Sequence, residues 1–163
     1  MRAISMLLSW LLYWGGCFLC TGTDRKNLLG LRSYPDEVQQ RVRQTLPPHS
    51  VPPKKSLSGI LLSNFAFFTV LFSALGLVFK KQLKLTRWKS AFAYFLALGE
   101  GLGLFDLLVI DLLWWRKSKR LRFSFLPQAE LYQDPTKHIA SFLRGIPLFA
   151  VIAFFAALIV VIL

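Results

Sequence analysis

Residues 90–115 read SAFAYFLALGEGLGLFDLLVIDLLWW, and this stretch decides the fold class. It exceeds the length of about 20 mostly apolar residues with which a helix crosses the hydrocarbon core of a bilayer. It also contains three carboxylates, Glu100, Asp106 and Asp111. Because ionisable groups within a span are costly and usually face protein, the stretch predicts one helix of a polytopic bundle rather than a lone anchor.

Apolar blocks recur on both sides of this stretch. The four predicted spans cover residues 3–20, 57–79, 91–115 and 139–163. We therefore predict an all-α fold, a transmembrane four-helix bundle that forms a single membrane domain over residues 1–163. In the first block, bulky Trp10, Tyr13 and Trp14 favour a retained helix over a cleaved signal peptide.

The polar connection 21–56 predicts a short amphipathic helix between the first two spans, at about residues 34–46. Ser33 can cap it, and Asp36 is favourable near a helix N-terminus. Val38, Val42 and Leu46 recur every four residues and give the helix one narrow apolar stripe. We expect this helix to lie along the membrane interface or to dock on the bundle.

The net charge of +12 comes from 20 Lys and Arg against 8 Asp and Glu. The basic residues lie in the gaps between apolar blocks, which favours membrane orientation and contact with anionic lipid headgroups over nucleic-acid binding. A basic run, RKSKRLR, directly follows Trp114 and Trp115, as at a cytoplasmic membrane border. The predicted headgroup-binding residues are Arg116, Lys117, Lys119, Arg120 and Arg122.

Orientation follows from the distribution of Lys and Arg. With connections 21–56 and 116–138 in the cytoplasm, thirteen of these residues lie inside and six outside. Both termini would then face outward. The five basic residues between the second and third spans weigh against this assignment, because positive outer loops are disfavoured.

Glu100 lies near the middle of its span, where the glycines leave little side-chain bulk around it. One hypothesis makes it part of a proton or cation relay. The alternative, which we favour, is a neutral carboxyl group that is hydrogen-bonded across a tight helix contact. The predicted helix-packing glycines are Gly99, Gly101, Gly103 and Gly145.

The other polar groups within the spans are assigned partners by depth and helical angle. At about 100° per residue, Glu100 and Asp111 share a helix face, whereas Asp106 points about 120° away. Asp111 and Arg144 occupy similar depths, so we predict an ion pair, and removing one partner of such a buried pair costs about 3–5 kcal/mol. Asn64, in the second span, is expected to bond across helices.

The sequence offers little for catalysis or metal binding. It contains no nucleophile elbow, phosphate-binding glycine loop or zincin motif. His49 and His138 are far apart and have no second ligand at metal-binding spacing. Cys17 and Cys20 match a redox C-x-x-C motif only in spacing. We therefore predict no enzyme activity, no metal and no cofactor.

Two segments resemble a known group of proteins: YPDEVQQR after the first span, and FDLLVIDLLWW with the later HIASFLRGI. They are similar to small bacterial polytopic membrane proteins, best represented in Firmicutes, that share a YP-x-E-x-Q segment and an FD-x4-D third helix. The resemblance implies four helices in a bacterial plasma membrane and no particular activity. The matching positions are Tyr34, Pro35, Glu37, Gln39, Asp106, Asp111, His138 and Gly145.

Two functional hypotheses follow from these features. The first is a non-enzymatic membrane protein that acts by self-association or as an accessory subunit of a larger complex. The second is a small oligomeric transporter or channel, coupled to protons or cations, in which the carboxylates of the third span line a polar path. An intramembrane enzyme that uses Asp106, Asp111 or His138 as acid or base ranks third, because no nucleophile and base set is recognisable.

Overall fold

The structure is a computed structural model that describes all residues, 1–163. It is all-helical, as predicted, and its only strand-like feature is an isolated bridge between Phe123 and Leu126. The α-helices are α1 (Arg2–Leu19), α2 (Asp24–Leu29), α3 (Asp36–Thr45), α4 (Leu57–Val78), α5 (Trp88–Phe105) and α6 (Thr136–Ile162). A π-helix, Asp106–Trp115, continues α5.

Three helical segments are long and apolar enough to cross a membrane. They are Arg2–Leu19, Leu57–Val78 and Ala129–Ile162, the last of which includes a short 3-10 turn before α6. The predicted third span, residues 91–115, is helical throughout, as α5 and the π-helix. It does not meet the same criteria, so a fourth span is not established by length and composition.

Helix α3 takes the place of the predicted helix at 34–46 but begins at Asp36 and ends at Thr45. Pro35 occupies the N-cap, whereas Ser33, the predicted cap, lies in the preceding 3-10 turn Leu31–Ser33. Side-chain caps do form elsewhere in the chain. At the start of α4, the Ser56 hydroxyl accepts a hydrogen bond from the Gly59 amide.

The chain divides into two compact units, which we name by their content. The bundle unit consists of residues 1–10, 55–104 and 143–163. The connection unit consists of residues 11–54 and 105–142. The first therefore contains most of the predicted membrane helices, and the second contains the two long connections with the helix segments that adjoin them.

Aromatic and small side chains form the core of the bundle unit. The ring of Phe72 stacks on Phe95 and Phe149 at centroid distances of 5.9 and 6.2 Å. Gly76 lies where an added Cβ would come within 2.6 Å of Phe95 and Val160. The absence of a side chain at this glycine therefore allows α4, α5 and α6 to pack closely.

The start of α1 is hydrogen-bonded within the bundle unit. Arg2 donates from Nε to the Leu83 carbonyl at 2.8 Å and from Nη2 to the Ser90 hydroxyl at 2.6 Å. One turn later, the hydroxyls of Ser5 and Tyr94 share a hydrogen bond of 3.0 Å. These bonds join the first turns of α1 to the α4–α5 connection and to α5.

Tyr34 is the centre of the connection unit, where it is completely buried. Its ring lies 4.9 Å from that of Trp115 and 5.2 Å from that of Phe123, and its hydroxyl donates to the Leu121 carbonyl at 2.7 Å. Val38 and Val42 are also fully buried in this core. The apolar stripe of α3 therefore packs within the connection unit. Of the two predicted positions, the membrane interface is wrong for this stripe, and docking on the bundle stays a prediction.

Candidate functional site

The π-helix Asp106–Trp115 sets the geometry of the candidate site, which lies in the connection unit. In an α-helix, Asp106 and Asp111 would be separated by about 140° around the axis. In a π-helix the hydrogen bonds run from residue i to residue i+5, which turns residues five apart towards the same side more than an α-helix does. The charge of Asp111 accordingly acts on Asp106, and both carboxylates act on Tyr13 and Cys17 of α1.

Asp111 is paired with His138, which lies near the start of α6. The distance from Asp111 Oδ2 to His138 Nδ1 is 2.9 Å, and the side chains are only 13% and 7% exposed. The predicted pair between Asp111 and Arg144 is therefore wrong, because the partner of Asp111 is His138. Arg144 is exposed and takes part in none of the three ion pairs of the chain.

Aromatic contacts hold the His138 imidazole in place. Its ring meets that of Trp115 edge to face at 5.6 Å, and Trp115 in turn packs against Tyr34. The Asp111–His138 pair is thus attached to the core of the connection unit. On the side of α1, the Tyr13 phenol and the Cys17 thiol interact with each other and complete the cluster.

The segment before α6 is fixed by polar contacts. Lys137 Nζ lies 2.6 Å from a carboxylate oxygen of Asp36 at the start of α3. One turn earlier, Asp134 accepts a hydrogen bond of 2.9 Å from the Thr136 amide and a second from the Thr136 hydroxyl. These two bonds lower the pKa of Asp134. Together the contacts position the turn that presents His138.

Two buried tyrosines form hydrogen bonds with backbone groups of irregular segments around the site. The Tyr132 hydroxyl donates to the Leu126 carbonyl at 2.8 Å and accepts from the Phe123 amide at 3.1 Å. Burial is the main cause that raises the pKa of both Tyr132 and Tyr34 above the usual value for a phenol. Both side chains therefore act as neutral hydrogen-bonding groups.

The α1–α2 turn is attached to the segment after the π-helix by side chains on both. Asn27 is buried, accepts from the Gly22 amide at 3.1 Å and donates to the Arg120 carbonyl at 3.2 Å. The Arg120 guanidinium donates to the carbonyls of Phe18 and Thr21. Asp24 accepts hydrogen bonds from the amide and hydroxyl of Ser124.

The structure distributes the predicted headgroup-binding residues unevenly. Arg120 is occupied by these carbonyls and by the Phe18 ring, which lies 4.0 Å from its guanidinium carbon. Lys117 and Lys119 are exposed, and Arg116 and Arg122 are half-buried. Within the predicted set, Arg120 therefore has an evident structural task, and the two lysines are the most accessible cations.

The other predicted polar residues, Glu100, Asn64 and Arg144, belong to the bundle unit. Glu100 and Asn64 are half-buried, and Glu100 takes part in none of the ion pairs. Beside Glu100, an added Cβ on Gly99 would come within 2.8 Å of the Phe149 ring, and one on Gly101 would overlap Trp10. Aromatic side chains, rather than another backbone, thus fill the space that these glycines leave.

Gly145 differs from these glycines. The nearest atoms to a Cβ built on it belong to Phe149 at 3.9 Å, an ordinary contact within its own helix. No close contact therefore supports the predicted packing role of Gly145. The packing role of Gly103 stays a prediction.

Sequence reasoning missed the partnership of His138 and the presence of Tyr13. A histidine three residues after Pro135, where an apolar helix begins, was a usable signal for His138. Nothing in the spacing of α1 pointed to Tyr13. No group of three or more His, Cys, Asp or Glu side chains is arranged to hold a metal ion.

Comparisons with protein-family models, with curated proteins and with solved structures give no match to this chain. The resemblance to a bacterial membrane-protein group therefore stays a prediction.

Proposed function

We propose that the chain is a four-span protein of a bacterial plasma membrane that acts by association, either with itself or as an accessory subunit, and is not an enzyme. Its connections 21–56 and 116–138 face the cytoplasm, where exposed lysines contact anionic lipid headgroups, and both termini face outward. The three apolar helical segments and the unbroken helix from Trp88 to Trp115 support the four-span topology. The proposed association rests on the exposed surface of α1.

Helix α1 carries the proposal of association because none of its residues is buried. Leu8, Leu12, Gly16 and Cys20 follow one another every four residues and form one exposed face. Nothing lies within 4 Å of a Cβ built on Gly16 or on Gly15. Since helices in lipid associate through close packing at small residues, this face suits a second transmembrane helix.

Cys20 provides a direct test, because it lies at the end of this face and is exposed. In membranes that contain the Cys17→Ser variant, mild oxidation is expected to link the protein through Cys20. A product of twice the chain mass indicates self-association, and a product of another mass identifies an accessory subunit. Adding Gly16→Leu should abolish either product by filling the face.

The matched control removes both native cysteines and places a single one at Phe67, an exposed position on α4. This variant should stay monomeric under the same oxidation. If Cys20 gives no product, or if Phe67→Cys gives as much, association through α1 is wrong.

A proton- or cation-coupled transporter is the second candidate, and the electrostatic interaction between the carboxylates of Asp106 and Asp111 favours it. One chain of four helices hardly encloses a path, so this reading requires an oligomer. Proton flux into liposomes that falls with Asp106→Asn or Glu100→Gln would support transport. Flux no greater than in protein-free liposomes would exclude proton transport.

A further inference from the structure

We propose that Glu100 of one copy of the chain pairs with Arg144 of a second copy, so that the outer faces of α5 and α6 form a surface for self-association. This pairing rests on the proposed membrane location of the bundle unit, and it names a second copy as the partner. It uses a different surface from the exposed face of α1, so the two surfaces can be tested separately.

Glu100 and Arg144 are oppositely charged residues of the bundle unit, and neither has a partner within the chain. Neither side chain takes part in an ion pair or a hydrogen bond. Glu100 is half-buried, and Arg144 is exposed. Because a charged side chain inside the hydrocarbon core is costly and is usually paired there, both residues favour a partner from another molecule.

Helices α5 and α6 are antiparallel neighbours in this unit. The ring of Trp88, at the start of α5, lies 5.8 Å from that of Phe154. Further along α5, a Cβ built on Gly99 would lie 2.8 Å from the ring of Phe149. A forward step along α5 therefore corresponds to a backward step along α6.

Glu100 and Arg144 occupy similar depths in these two helices. Phe149, which is level with Gly99, is the middle residue of α6, and α6 belongs to a segment apolar enough to cross a membrane. Arg144 precedes Phe149 by five residues, or about 7.5 Å, whereas Glu100 follows Gly99 by about 1.5 Å in the same direction. The two Cα atoms therefore differ in depth by about 6 Å, which a long arginine side chain can span.

Both residues lie on outer faces of their helices. On α5, Ala97 and Leu104 are exposed and share a face with Glu100, three residues before it and four residues after it. On α6, Val151 is exposed and follows Arg144 by two helical turns. The two faces therefore lie away from the aromatic core of the unit, where lipid or another protein would meet them.

A second copy is the partner that the charges favour. Each chain carries one acidic and one basic residue without a partner at this depth, so two copies in the same orientation supply what each one lacks. In a two-fold symmetric pair, Glu100 of each copy would meet Arg144 of the other, which gives two equivalent contacts. Ala97, about one turn before Glu100, is small, and small residues allow helices to approach closely in lipid.

Fluorescence energy transfer between two copies in liposomes tests this pairing. The full chain is fused at its C-terminus to a donor or an acceptor fluorescent protein, and every chain carries Gly16→Leu to block the face on α1. We expect transfer to persist in this background, and Glu100→Gln or Arg144→Gln to weaken association by about tenfold. Lys89→Gln, the matched control, removes an exposed charge from the first turn of α5 and should leave transfer unchanged.

Reversed charges distinguish a pair between copies from a pair within one chain. Chains with Glu100→Arg carry two basic residues at this depth, and chains with Arg144→Glu carry two acidic ones, so neither variant should associate with itself. When the two variants are mixed, transfer should return, because each acidic residue of one then meets a basic residue of the other. A pair within one chain predicts no recovery on mixing.

Three results would overturn the pairing. They are an absence of transfer in the Gly16→Leu background, unchanged transfer in folded Glu100→Gln and Arg144→Gln proteins, and no recovery when folded chains with reversed charges are mixed. If the chains with reversed charges do not insert, the neutral variants decide the outcome alone. Failure of Cys20 cross-linking would leave these measurements unaffected, so this surface and the association through α1 can fail separately.

Discussion

The bundle unit and the connection unit are stabilised by different interactions. In the bundle unit, rings and small residues interlock. In the connection unit, Tyr34, Tyr132, Asn27 and Arg120 each bond to backbone groups far along the chain or in irregular turns. Helices satisfy their own backbone groups, whereas connections must obtain that satisfaction from side chains. The following predictions test this contrast.

The largest effect is expected from Tyr34→Ala. It removes a fully buried ring that contacts Trp115, Phe123 and Tyr132, and truncation of a buried aromatic residue costs about 3–5 kcal/mol. Hydrogen exchange should accelerate at Leu121 and nearby amides, with little change in α4. Equal acceleration in both units would show that the contrast between them is not energetic.

Gly76→Ala should damage the bundle unit by overpacking. Its new Cβ would lie 2.6 Å from Phe95 and Val160, and such overpacking costs about 1–3 kcal/mol. Gly145→Ala is the control, because the site is open and alanine in a helix is favoured over glycine by about 0.5–1 kcal/mol. Thermal unfolding in detergent should separate the two variants, and similar melting temperatures would contradict this packing.

Tyr34→Phe isolates the hydrogen bond to Leu121. Leaving that buried carbonyl without its donor should cost about 1–3 kcal/mol, and denaturant unfolding measures the loss.

The same tyrosine also predicts a dependence on pH. Because burial raises the pKa of Tyr34 in the folded protein, its contribution is intact below the unfolded phenol value of about 10 and is lost as the pH rises above it. The alkaline loss of stability should therefore be smaller in Tyr34→Phe than in the wild type. An identical alkaline profile would assign that loss to other groups, such as Tyr132.

The smallest effect is expected from Arg41→Gln on the surface of α3. Arg41 and Glu37 are one turn apart at 2.7 Å, but both are about half exposed, and such pairs contribute about 0.3–0.5 kcal/mol. The loss should disappear in high salt, because surface charges are screened. A salt-independent loss would mean that packing of the arginine stem, rather than its charge, is what matters.

Helix positions were largely predictable, because apolar blocks long enough to cross a membrane can be recognised from the sequence without tertiary information. The blocks at 3–20, 57–79 and 139–163 correspond closely to α1, α4 and α6. The apolar stripe of α3 was predictable from residues that recur every four positions, but the residues that it packs against were not. Val38 and Val42 pack with Phe123 and Tyr132, which lie some 80 or more residues away in a connection whose pattern shows no regular element.

The candidate site was predictable only in part. The carboxylates of the third span were visible as unusual, but their angles were computed for an α-helix, and the π-helix changed the relation of Asp106 to Asp111. Depth alone suggested Arg144 as the partner of Asp111, although depth does not specify the side of a helix. His138, only six residues earlier, is the partner of Asp111.

The sequence by itself determined the all-helical class, the apolar segments and the unusual acidity of one of them, because hydropathy and length act locally along the chain. The tertiary structure decided that the two long connections form a unit with its own core, that residues 106–115 form a π-helix, and that His138 pairs with Asp111. These results depend on residues that are distant in sequence or on a departure from regular helical periodicity. A local sequence pattern encodes neither of these two causes.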